Sequence, residues 1–158
     1  MGKMLVVWYS RTGNTDRVGK EIAEALNCET VILQDKTDRT GATGYLRSGR
    51  EAMTKKLPEL EPITQDLSSF SLVIIGTPVW AFTMASPIRS FLTEYGDQLP
   101  DVAFFATQGG RGADRAYKDM SEILQKEPLA TLSVLEREIK RQSYKERQDT
   151  FVTSLQRR

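Results

Sequence analysis

Ser10-Arg11-Thr12-Gly13-Asn14-Thr15 gathers three hydroxyls, an amide, a guanidinium and a glycine into six residues. They lie between an apolar run at 4–9 and an amphipathic stretch at 16–26, so they form a strand-to-helix turn. The chemistry such a turn supports is anion binding. The first amides of a helix have no partner within it, its dipole favours negative charge there, and hydroxyls donate to phosphate oxygens. Gly13 admits a backbone conformation that a side chain resists. Arg11 either adds a full charge to the site or points into solvent. Read as a helix start alone, the same residues make Thr15 an N-cap with Asp16 in the first turn.

Two further stretches of unusual composition follow apolar runs. After 72–75 comes Gly76-Thr77-Pro78-Val79-Trp80-Ala81, leading to Ser86-Pro87, which reads as an N-cap and a proline at the first helical position. After 102–106 comes Thr107-Gln108-Gly109-Gly110-Arg111-Gly112. Trp80 follows a Gly-Thr-Pro turn and reads as a loop residue whose ring could stack on a planar ligand, against the plainer reading of a core tryptophan. Trp8, inside the first run, reads as core.

The elements that must position these residues show in the spacing of apolar side chains. Apolar runs recur at 4–9, 31–33, 72–75, 102–106 and 129–135. The first, third and fourth are nearly continuous, as in parallel strands covered on both faces. Helical stripes lie between them: Val18, Ile22, Ala25 and Leu26; Ile88, Phe91, Leu92 and Tyr95; Ala116, Met120, Ile123 and Leu124. Tyr144, Phe151, Val152 and Leu155 form a last stripe. This alternation predicts a doubly wound α/β domain, in which ligands bind beyond the carboxyl ends of the strands where their order reverses. The segment 35–62 is long for a connection, and its spacing predicts a short helix around 45–54.

Composition narrows the function. A chain of 158 residues predicts a single domain over 1–158. A net charge of +1 argues against a nucleic-acid binder. No stretch reads as a membrane span or a signal peptide. Cys28, the only cysteine, allows neither an internal disulfide nor a cysteine-rich metal site, and it reads as an inert residue at the end of the first helix. These features favour the cytoplasm. The absence of histidine removes Ser–His and Cys–His catalytic pairs and histidine-ligated zinc or haem, so chemistry here falls to a cofactor. Rival motifs fail on residues. Glu21 stands where a Walker loop needs Ser or Thr, Arg115 replaces the third glycine of a dinucleotide fingerprint, and Gln34 stands where a Cys-x5-Arg phosphatase loop anchored on Cys28 needs its arginine.

The three loops together resemble those of the flavodoxin-like FMN-binding proteins, over nearly the whole chain. Ser10–Thr15 is similar to their phosphate loop, Gly76 to Trp80 to their first flavin-contacting loop, and Thr107 to Gly110 to their second. The resemblance implies a three-layer sandwich: a five-stranded parallel sheet in the order 2-1-3-4-5 with helices on both faces and FMN at the switch point. It implies that Ser10, Thr12, Asn14 and Thr15 hold the phosphate with the amides of Arg11 and Gly13. Thr77, Pro78, Val79, Trp80 and Ala81 would line the isoalloxazine, with Trp80 as the stacking ring, and Thr107, Gln108, Gly109 and Gly110 would pass along its pyrimidine side. Neither a catalytic side chain nor a metal is expected. The first function it implies is electron transfer between redox partner proteins, a reductase and an acceptor, through the FMN semiquinone/hydroquinone couple. The alternative is an FMN-dependent reductase or oxidase acting on a small molecule such as a quinone, with NAD(P)H or a quinone as the other substrate. That alternative expects an open pocket over the flavin roofed by 35–62, with Tyr45 or Arg47 as contacts.

Overall fold

In the computed structural model, which describes residues 2–157, the chain runs β1 (Met4–Trp8), α1 (Asn14–Leu26), β2 (Glu29–Ile32), α2 (Gly41–Thr54), β3 (Leu72–Trp80) and β4 (Thr83–Met84). It continues through α3 (Ser86–Tyr95), β5 (Asp101–Gln108), α4 (Ala113–Leu124), β6 (Thr131–Leu135), α5 (Glu136–Arg141) and α6 (Lys145–Gln156). Alternation of buried side chains along the central strands decides the layering. Leu5, Val7, Val73, Ile75, Val102 and Phe104 join one apolar cluster, while Val6, Trp8, Ile74, Ala103 and Phe105 join another. A strand apolar on both faces needs helices on both, and burying each large side chain contributes about 2 kcal/mol. α3 and α4 cover the first face with Ile88, Phe91, Ala116 and Met120. The other is covered by α1, α5 and α6 with Val18, Ile22, Ile139, Phe151 and Leu155.

The sheet order is β2-β1-β3-β5-β6, all parallel, with β4 antiparallel to the end of β3. Without β4 this is the predicted 2-1-3-4-5 order. β4 escapes the sequence because two residues, Thr83 and Met84, are too few to show a period. The register aligns Trp8 with Gly76 and Gly76 with Phe105, so the loops after β1, β3 and β5 emerge side by side.

Element ends differ from expectation where a side chain has a tertiary partner. α1 begins at Asn14 with Gly13 as its N-cap at φ 103, and Thr15 sits inside the first turn. α3 begins at Ser86 after Ala85, because the Ser86 hydroxyl bonds Glu51 of α2 rather than capping its own helix. The helix in 35–62 is longer than predicted, spanning Gly41–Thr54. The excursion carrying it is closed at its base: Asp35 pairs with Leu60, and the Glu61 amide donates to the Gln34 carbonyl at 2.8 Å.

Apart from the buried Ala52, polar bonds pin α2 down. Its apolar side chains Tyr45, Leu46 and Met53 are about 70% exposed (68, 70 and 73%). Arg39, just before the helix, is buried and holds it instead. Its Nε and Nη2 donate to Asp35 at 3.0 and 2.6 Å, Nη2 also to Glu51 at 2.6 Å and Ser86 at 3.3 Å, and Nη1 to Ser48 at 3.1 Å.

Candidate functional site

The turn after β1 keeps its side-chain hydroxyls free to donate, but the Gly13 amide, expected to help hold the phosphate, is taken up within the turn. Gly13 donates its amide to Ser10 Oγ at 3.0 Å, so the Ser10 oxygen accepts and its own proton remains available. No side chain caps α1, and its first amides are open to a ligand. Thr15 Oγ1 lies 2.7 Å from Thr107 Oγ1; two hydroxyls sharing one bond leave one proton free. Asp16 carries its negative charge here, offset by the Lys20 ammonium at 2.8 Å. Burial alone would raise its carboxyl, but hydrogen bonds from Lys20 and Trp8 outweigh that and hold it below the ordinary aspartate range.

Arg11 lines the cavity, but its guanidinium is bonded to the start of α2. Its Nε donates to the Arg39 carbonyl at 2.9 Å and its Nη2 to the Gly41 carbonyl at 2.8 Å, with the guanidinium 5.7 Å from the Tyr45 ring centre. It ties the turn to α2.

Trp80 stands at the end of β3 rather than in a loop. The turn Ala81-Phe82 folds the chain back into β4, and both residues have positive φ, 49 and 67°. Two non-glycine residues there store backbone strain beside the site. Trp80 is half-buried, edge-on to Tyr9 at 5.6 Å, and carries the Arg39 guanidinium 5.0 Å from its ring centre. Tyr9, at the back of this cluster, has its phenol pushed up to about 12 by burial and by Asp35.

Between these parts lies a cavity of about 620 Å³. One wall is Ser10, Arg11, Thr12, Asn14 and Thr15; the floor is Pro78, Val79, Trp80, Ala81, Thr107 and Gly109. The opposite wall is α2, through Tyr45, Leu46, Ser48, Gly49, Arg50 and Met53, with Glu136 at the rim. One end is therefore rich in small donors and the other largely apolar, a division that suits a phosphorylated ligand with a flat ring.

Four expected residues lie outside the lining. Thr77 is fully buried, its hydroxyl accepting from the Ala85 amide at 3.0 Å and donating to the Pro78 carbonyl at 2.8 Å. Gln108 accepts from the Ala113 amide at 3.0 Å and so caps α4. Gly13 and Gly110 are exposed beside the cavity. Arg47 does not line it either, since its Nη1 donates to the Asp38 carbonyl at 3.0 Å. Tyr45 does. The rest of the α2 wall and Glu136 were missed by the sequence reading; the one signal for the wall was the helical spacing of Leu46, Gly49 and Met53. Trp8 is fully buried, and the half-buried Cys28 thiol is pushed up to about 11 by burial, which keeps it inert. Among the described residues no group of three or more His, Cys, Asp or Glu could hold a metal, and no helix is long and apolar enough to cross a membrane.

The sequence model of the flavodoxin family matches residues 3–150. The chain belongs to the flavodoxin family. Among solved structures, this flavodoxin-family chain is similar to a flavoprotein from Lactobacillus acidophilus NCFM in complex with FMN. Identity is 21% and the TM-score 0.74, over 90% of this chain and 99% of that one. It is similar to a protein assigned as a flavoprotein from Bacteroides eggerthii DSM 20697, at 21% identity and TM-score 0.76, over 96% and 98%. The two-electron reduced flavodoxin of Megasphaera elsdenii matches at 17% identity and TM-score 0.56, over 83% and 85%. At such identities these likenesses speak for the fold.

Proposed function

We propose that this chain is an FMN-dependent oxidoreductase that exchanges electrons with a small molecule held between its flavin and α2. The donor set fits FMN. The free hydroxyl of Ser10, the hydroxyl of Thr12, the amide of Asn14, the Thr15–Thr107 pair and the uncapped amides of α1 would hold the phosphate. Pro78 to Ala81, with Trp80, and Thr107 to Gly109 would line the ring, while Thr77 and Gln108 hold those two loops in shape. When bound, FMN supplies the electron chemistry, which explains a site without histidine or a paired acid and base.

One observation carries the choice between the two functions. A carrier serving protein partners presents its flavin at an open edge, whereas here α2 stands across the cavity with Tyr45, Leu46 and Met53 lining it. Such a compartment selects a small ligand. The near-balance of charge also supplies little of the long-range field that steers carriers to partners. Placement in the cytoplasm belongs to this proposal.

The test is anaerobic reduction of the FMN-loaded protein by NADPH, or by dithionite where NADPH fails, followed by mixing with small acceptors. Rapid reoxidation by a small acceptor is the expected result. Reduction only through a separate reductase protein, with no reoxidation by any small acceptor, would return the chain to the carrier class.

A further inference from the structure

α2 is amphipathic in the reverse sense. A surface helix ordinarily turns its apolar stripe to the core. Here the inward side carries Gly44, Ser48, Glu51 and Ala52, while Leu46 and Met53 stand roughly opposite them at about 100° per residue. Both are largely exposed, as is Tyr45, and Leu57 just beyond the helix is 52% exposed. The cavity accounts for only part of this surface, since Leu57 does not line it.

The charge on the same stretch is one-sided. Residues 41–57 hold four exposed cations, Arg47, Arg50, Lys55 and Lys56, and a single acid, Glu51. Glu51 is buried and bonded to Arg39. Among the described residues none of the four cations pairs with a carboxylate. The exposed acids next along the chain, Asp38, Glu59 and Glu61, lie at the base of the excursion, where Asp38 accepts from Thr40 and Glu59 from Lys36. Elsewhere in the chain acids outnumber bases.

We infer that the outward side of α2, continued to Leu57, is a docking surface for an anionic lipid bilayer. Apolar side chains set among cations with aliphatic stems suit that interface: the apolar groups enter the acyl boundary while the charged heads stay with the lipid phosphates. Four Lys or Arg on one amphipathic helix suffice to select anionic headgroups. A protein partner would need its acids placed one by one against these cations, whereas a lipid surface supplies negative charge at every position. Docking does not depend on what the cavity holds. Because Leu46, Arg50 and Met53 also line the cavity, it sets the α2 wall against the bilayer.

Flotation of the FMN-loaded protein with vesicles tests this. Vesicles of phosphatidylcholine and phosphatidylserine in equal parts should carry the protein at low salt, and phosphatidylcholine alone should not. Lys55→Gln combined with Lys56→Gln should weaken binding about thirtyfold. FMN affinity should stay unchanged in that variant, since neither residue lines the cavity. Met53→Ser should weaken vesicle binding about fivefold. Lys140→Gln combined with Arg141→Gln makes the same change of charge on α5, across the sheet, and should leave binding nearly intact.

Absence of flotation with the mixed vesicles would overturn the inference. So would equal losses from the α2 and α5 pairs, which would reduce the effect to net charge, or full binding by Met53→Ser, which would remove the apolar contact. Poly-L-glutamate bound as tightly as the mixed vesicles would give the surface to an acidic protein instead. A dimer that Met53→Ser dissociates would give it to a second copy of this chain.

Discussion

Arg11, in the turn after β1, donates to the Arg39 carbonyl at 2.9 Å, so the residue beside the proposed phosphate-binding donors also anchors the entry to α2. The second bond, to the Gly41 carbonyl, makes the guanidinium a fork across the start of that helix. Because few apolar contacts hold α2, this fork controls its mobility. Arg11→Ala should speed amide exchange across 41–54 about fivefold, the equivalent of one net hydrogen bond. Arg11→Lys should recover only part, since an ammonium cannot span two carbonyls in the same way. Unchanged exchange would disconnect the turn from the helix.

Glu51 gives α2 an acid sensitivity. Burial would raise its carboxyl, but hydrogen bonds from Arg39 and Ser86 outweigh that and leave it below the ordinary glutamate range. The folded value is therefore lower than the unfolded one, near 4.3 in free glutamate. The stability it contributes is complete above the unfolded value and is lost as pH falls through the folded one. Urea unfolding should show wild type more stable than Glu51→Gln at about pH 6, with the gap narrowing as pH falls below the unfolded value. A gap that widens in acid would contradict the direction of the shift.

Gly112 and Gly13 separate packing from backbone strain. Gly112 has φ 117, and a Cβ there would lie 2.7 Å from Val79 Cγ1 and 2.9 Å from Phe82 Cα. Gly13 has φ 103 with nothing within 4 Å of an added Cβ. Gly13→Ala should cost roughly 1–2 kcal/mol for the left-handed backbone alone. Gly112→Ala should cost more, up to about 3 kcal/mol, and should weaken FMN binding by displacing the Val79–Phe82 turn. Equal costs in urea unfolding would show that the turn yields freely.

The phosphate-binding role proposed for the first loop predicts a difference between two cofactors. Thr12→Ala should weaken FMN about tenfold, the weight of one charge-assisted hydrogen bond, and leave riboflavin nearly unaffected. Fluorescence titration of the apoprotein reads both affinities, and a parallel loss for riboflavin would move Thr12 away from the phosphate.

Arg89 is a buried cation whose Nε and Nη2 have no partner among the described residues. Burial lowers its pKa, with Asp119 as the opposing charge. Arg89→Met keeps the bulk and removes the buried charge, so thermal unfolding should show stability unchanged or raised by up to about 2 kcal/mol. A clear loss would reveal a partner for the guanidinium.

The central strands and the three loops after them were legible from the residues alone, because burial on both faces writes a continuous apolar run and a strand-to-helix turn needs recognisable small residues. β2 was legible only in part. As an exposed edge strand, with Glu29, Thr30 and Ile32 at the surface, it follows no burial pattern. The residues themselves marked an anion-binding turn and most of the cavity floor, and the family resemblance those loops carry implied the sheet order. Only the tertiary structure decided that Arg11 turns to α2, that Thr77 and Gln108 support the loops from behind, and that α2 closes the cavity with Ser48 facing it. Those outcomes depend on Arg39 bonding Asp35, Ser48, Glu51 and Ser86, residues spread from 35 to 86. Hydrogen bonds between distant side chains leave no period along the chain, so nothing in the spacing of α2 foretold what would hold it in place.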